Sequence, residues 1–102
     1  MPRPTSTWKA VERFVAGYLN GERTHWALED ARTNDFSIEV KHGKQIPKFI
    51  QKAWAQAVKN TDATRCPLLV LHWPNCPYDH SLVVLELHDF KRILDGKTSK
   101  DS

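Results

Sequence analysis

The chain has no apolar run long enough to cross a membrane, and its opening Met-Pro-Arg-Pro lacks the apolar core of a secretory signal. A secreted or membrane-spanning protein is therefore not expected; the expected setting is the cytoplasm, possibly that of an infected host cell. At 102 residues it also lacks the length for a second core or an internal repeat, so one domain is expected over 1–96, with 97–102 as a disordered tail. Cysteine is scarce, at two residues, Cys66 and Cys76. With His72 and His80 they form a Cys-x5-His-x3-Cys-x3-His pattern that superficially resembles a zinc site. The apolar Pro67-Leu-Leu-Val-Leu71 between the first two members would, as a strand, hold them roughly 20 Å apart. Two free thiols are the expected state, since a disulfide is disfavoured in a reducing compartment.

What is present is an apolar share of 40 %, four tryptophans, a net charge of +3 and a pI near 9.0. That is enough for one core, and the charge favours an anionic partner. Apolar residues at helical spacing (Trp8, Val11, Phe14, Val15, Leu19) predict a helix over Thr5–Leu19, capped by Thr5 or Ser6 and ended by Asn20-Gly21. Two or three short strands follow within 22–41. Pro47 suits the first turn of a second helix that runs to about Lys59, with Phe49, Ile50, Ala53, Trp54 and Ala57 facing a sheet. Strands over Leu68–His72 and Leu82–Leu87 flank the turn-rich Trp73–Asp79 loop, and a short helix over His88–Leu94 closes the pattern. The order α-β-β-β-α-β-β-α predicts an α/β fold, a mixed sheet flanked by helices, with a right-handed crossover from Ile38 to Leu71.

The chemistry sits in Asp35-Phe-Ser-Ile-Glu-Val-Lys41. In a strand, Phe36, Ile38 and Val40 share one face, and Ser37, Glu39 and Lys41 share the other. Asp30 lies nine residues before Glu39, and the turn-prone Arg32-Thr-Asn-Asp35 can fold it back beside that glutamate. Two carboxylates suit a hard divalent cation such as Mg2+ or Mn2+ that takes phosphate oxygens as further ligands. Such an ion acidifies a water, and Lys41 beside it stabilises charge building on the phosphate. A solvated strand face carrying a cross-strand ion pair would show the same residues.

Ser37-Ile-Glu-Val-Lys-His-Gly-Lys-Gln-Ile-Pro47, the helix with Trp54-Ala-Gln-Ala57, then Pro67-Leu-Leu-Val-Leu-His72 and Ser81-Leu-Val-Val-Leu85 together resemble the small phage endonucleases of the PD-(D/E)xK superfamily, of the Holliday-junction-resolvase-like type. The resemblance runs from about Glu12 to Phe90. It implies a restriction-endonuclease-like core, with Asp30 as the first motif acid, Glu39 and Lys41 as the Glu-x-Lys, Gln56 as the helix glutamine and Glu12 as an additional metal ligand. Branched DNA as substrate and a homodimer cutting two strands follow from the same resemblance. The residue before Asp30 is Glu29 where the family carries proline, so Glu29 and Asp35 remain alternative first acids.

Among the basic residues, Arg13, Lys44, Lys48 and Lys52 are the candidate DNA contacts, the last three sharing a helix face if the helix begins near Lys44. Surface charge of this kind is commonly a solvated helix face. Gln56 can equally satisfy a buried backbone group, Glu12 can be an ordinary surface acid, and His42 can contact DNA or simply lie part-exposed. Two other functions fit the same composition: a non-catalytic nucleic-acid-binding module, and a regulator that occupies a protein partner.

Overall fold

The structure is a computed structural model, and it describes residues 7–24 and 29–96. The element order is α1 (Trp8–Tyr18), β1 (Glu22–Arg23), β2 (Ala31–Arg32), β3 (Ser37–Ile38), α2 (Lys48–Lys59), β4 (Leu69–Leu71), β5 (Leu82–Val84) and α3 (Leu87–Leu94), with 3-10 turns at Gly43–Gln45 and Tyr78–His80. The chain divides into two compact units, Met1–Pro47 and Lys48–Ser102.

In the first unit, α1 starts one turn later than its apolar spacing predicts. Its cap is Thr7, whose Oγ1 accepts from the Ala10 N–H at 3.3 Å; Thr5 and Ser6 lie outside the described residues. It stops as expected at Asn20-Gly21: Asn20 adopts φ +61°, and the Gly21 N–H reaches back to the Ala16 carbonyl at 2.7 Å. Glycine is required at Gly21 because a Cβ there would stand 2.2 Å from the Arg32 carbonyl oxygen of β2. The helix turns Glu12 and Ala16 inward and leaves Trp8 54 % exposed, so its buried stripe is rotated from the expected one. Phe14 spends its ring on Tyr18, stacked at 5.3 Å one turn away.

The strands β1, β2 and β3 form an antiparallel sheet in that order, against which α1 packs through β1 and β2. The register pairs Glu22 with Arg32, Arg23 with Ala31, Ala31 with Ile38 and Arg32 with Ser37. Ala31, in the central strand, is completely buried. The β2–β3 turn is held by Thr33, whose hydroxyl accepts from the backbone N–H groups of Asp35 and Phe36. Burial alternates from Ser37 to Lys41 as a strand requires, with Ile38 and Val40 turned in; Phe36, at the turn, is exposed instead of joining them.

In the second unit, α2 sets Ile50, Ala53, Trp54 and Ala57 on one half-buried face and packs against β4. Phe49 is 63 % exposed, pointing away from the face predicted for it. The Thr61 hydroxyl donates to the Ala57 carbonyl and closes the helix; just beyond, hydrogen bonds from Thr64 hold the Asp62 carboxyl below the usual range. β4 and β5 pair antiparallel, Leu69 with Val84, Val70 with Val83 and Leu71 with Leu82. The first turn of α3 buries Asp89 entirely, with Arg92 of the next turn 2.8 Å away.

The elements are thus the expected α/β set in the expected order, but the sheet differs. β3 and β4 belong to separate antiparallel sheets, and no parallel pair occurs among the described residues, so the mixed sheet and its crossover are not formed. Each sheet closes through neighbours in sequence, which costs less loop entropy than a pairing across α2.

Candidate functional site

Asp30 is fastened once to β3 and once to the segment just beyond it. Its backbone N–H donates to the Ile38 carbonyl at 2.8 Å, and its Oδ2 accepts from the Val40 N–H at 2.6 Å. Val40 is the middle residue of Glu39-Val-Lys41, so the first acid is anchored on the backbone between the other two candidate side chains. The fold achieves this because the Thr33-centred turn returns the chain in tight register, and because a short carboxylate can replace a carbonyl where the ladder ends.

Glu39 Oε2 and Lys41 Nζ are 3.1 Å apart, and both side chains are 55 % exposed. An ion pair that open contributes little to stability, about 0–1 kcal/mol, so both groups can exchange partners at small cost. Carboxylates are the donor type a hard cation takes, and here one is anchored on the backbone between an open Glu39–Lys41 ion pair.

The other predicted residues fall differently. Glu12 is buried and paired with Arg23 at 3.1 Å, their side chains 8 % and 17 % exposed; its charge is met by a guanidinium. Arg23 was not singled out from sequence, and the signal was weak: one cation just beyond a helix stop. Glu29 pairs with Arg32 at 2.8 Å, and Asp35 sits exposed in the turn, donating its N–H to Thr33. Gln56 is exposed on α2, in the second unit.

Arg13 is exposed on α1. Lys44 is exposed in the 3-10 turn whose cap is His42, four residues before α2 begins, so it is not on that helix; Lys48 and Lys52 are exposed there, one turn apart. Cys66 and Cys76 are free thiols, as expected. His72 directs Nε2 to the Cys76 carbonyl at 2.8 Å, a bond in which the ring nitrogen is the donor.

Among the described residues, the group of three metal-ligand side chains is Glu86, His88 and Asp89, which sequence reasoning missed. His88 stands 3.4 Å from Glu86 and 3.5 Å from Asp89, and Arg92 already compensates Asp89, so the Asp89–Arg92 pair with two polar neighbours accounts for the cluster. A polar cleft of about 260 Å³, lined by Asn20, Gly21, Glu22, Arg32, Thr33 and Asn34, lies toward the β2–β3 turn and contains neither Asp30 nor Glu39. No helix among the described residues is long and apolar enough to cross a membrane. No protein-family profile, curated protein or solved structure matches the chain.

Proposed function

We propose that the chain is a Mg2+- or Mn2+-dependent endodeoxyribonuclease acting on branched DNA, with Asp30 and Glu39 as metal ligands and Lys41 at the reacting phosphate. The observation that carries this reading is the bond from the Val40 N–H to Asp30, which fixes one carboxylate on the backbone between Glu39 and Lys41. A bound divalent ion supplies an acidified water and neutralises charge on the phosphate. The protein's own part is positional. Val40 orients Asp30, Glu39 would supply a second carboxylate, and the Lys41 ammonium, now 3.1 Å from Glu39, would turn to the oxygen on which negative charge grows. Branched DNA, the homodimer, the restriction-endonuclease-like core and Gln56 as a catalytic residue rest on the sequence resemblance. Glu12 supports the site indirectly, through Arg23 and the packing of α1 on β1.

One observation favours a second reading, a nucleic-acid-binding module without hydrolysis: Glu39 and Lys41 already satisfy each other. Metal binding separates the two. Millimolar Mg2+ should raise the melting temperature of the wild type more than that of the double variant Asp30→Asn/Glu39→Gln. Equal shifts would place the ion elsewhere and remove the basis of the nuclease reading.

A further inference from the structure

Among the described residues the buried polar side chains are Glu12, Thr24 and Asp89, and two of the three face a guanidinium, Arg23 for Glu12 and Arg92 for Asp89. Thr24 has no such partner. It follows β1 directly, is 7 % exposed, and spends its polar groups on the backbone around Asp30. Its hydroxyl donates to the Glu29 carbonyl, and its N–H donates to the Asp30 carbonyl at 3.1 Å. Those two carbonyls belong to the two peptide groups that flank the Asp30 Cα. The Asp30 N–H, part of the first of them, donates to the Ile38 carbonyl at 2.8 Å.

A peptide group is planar and stiff, so one held at both its C=O and its N–H does not turn. The Glu29–Asp30 peptide is held in that way, by Thr24 on one side and Ile38 on the other. The Asp30–Ala31 peptide is held by Thr24 as well. With both planes fixed, the two backbone dihedrals of Asp30 are fixed, and so is the direction in which its side chain leaves the backbone. That direction brings Oδ2 to the Val40 N–H at 2.6 Å. Beside a side chain this buried, water does not readily replace a lost hydroxyl, so the Glu29 carbonyl would be left short of a donor. We infer that Thr24 is a positioning residue for the metal site, touching neither ion nor substrate and acting by aiming the Asp30 carboxylate. The inference rests on the reading of Asp30 as a metal ligand and supplies the outer support that a ligating carboxylate needs.

The test uses the full chain with Thr24→Val, which keeps the shape and removes the hydroxyl, and Thr24→Ser, which keeps the hydroxyl. Mn2+ affinity is read from the paramagnetic signal of the free ion, without DNA. Thr24→Val should bind Mn2+ roughly 10- to 100-fold more weakly than wild type, and Thr24→Ser should retain most of the affinity. In an Asp30→Asn background Thr24→Val should change the residual affinity little, because the group it aims is gone. Ala16→Gly, at a buried position of α1, should lower the melting temperature and leave Mn2+ affinity at the wild-type value. Amide exchange without metal gives an independent reading. The Val40 N–H should exchange faster in Thr24→Val than in wild type, while the Gly21 N–H, bonded to the Ala16 carbonyl, should not change. Wild-type Mn2+ affinity in Thr24→Val, an equal loss in the Asp30→Asn background, an equal loss in Ala16→Gly, or unchanged Val40 exchange would each overturn the inference. A wild type that binds no Mn2+ would defeat the metal reading of Asp30, and Val40 exchange would still decide whether Thr24 aims that carboxylate.

Discussion

Asp30 does two jobs that substitution can separate. Its carboxylate accepts the Val40 N–H at 2.6 Å, a charge-assisted bond at a half-buried site. Removing the acceptor strands a backbone donor and costs about 1.5–3 kcal/mol. At roughly 4–8 °C per kcal/mol for a chain of this size, Asp30→Ala should melt about 6–24 °C below wild type. Asp30→Asn keeps an acceptor oxygen in the same place, so its stability should stay within about 1 kcal/mol of wild type. The chemistry should not follow that order. Both variants lose the charge that holds the ion, so cleavage should fall more than about a hundredfold in each. Thermal melts and Mg2+-dependent cleavage measured on the same preparations give both numbers. An alanine variant as stable as wild type would show that the Val40 bond is not an anchor. An asparagine variant that cleaves normally would take Asp30 out of the metal site.

Lys41→Ala should slow single-turnover cleavage at saturating enzyme while leaving DNA affinity only slightly weaker; a binding defect without a rate defect would contradict its placement at the phosphate. Joint replacement of Lys48 and Lys52 by alanine should weaken DNA binding and flatten its dependence on log salt by up to about one unit per contact, and an unchanged slope would make that helix face ordinary solvated surface. Glu12→Ala leaves Arg23 buried without its partner and should cost about 2–4 kcal/mol, whereas the double variant Glu12→Met/Arg23→Met should recover most of it; additive losses in a double-mutant cycle would show the pair is not coupled.

The α-β-β-β-α-β-β-α order was legible because its signals are local. Apolar spacing marks α1 and α2, and Asn20-Gly21, Pro47 and the Trp73–Asp79 stretch punctuate them. Sheet membership was not legible. Whether β3 continues into β4 depends on pairing energies between distant segments, and the structure keeps them in separate antiparallel sheets. The orientations of Trp8, Phe36 and Phe49 were misread for a related reason: apolar type predicts burial only where another surface is present to cover the ring. At the site, the turn-prone 32–35 stretch was enough to anticipate that Asp30 folds back onto the segment holding Glu39, where it meets the Val40 N–H. The main-chain bond at Val40, and the burial of Glu12 against Arg23, depend on backbone geometry that residue types do not encode.

The most direct measurement is cleavage by wild type and Glu39→Gln of linear, flap and four-way DNA, each with Mg2+ and with EDTA. Wild type should cut the branched substrates in Mg2+ and none in EDTA, while Glu39→Gln should cut none and still bind DNA at least as well, having lost a negative charge near phosphate. Mg2+-dependent cutting retained in Glu39→Gln would contradict the assignment of Glu39 as a metal ligand, and no cutting of any substrate by wild type would contradict the nuclease itself.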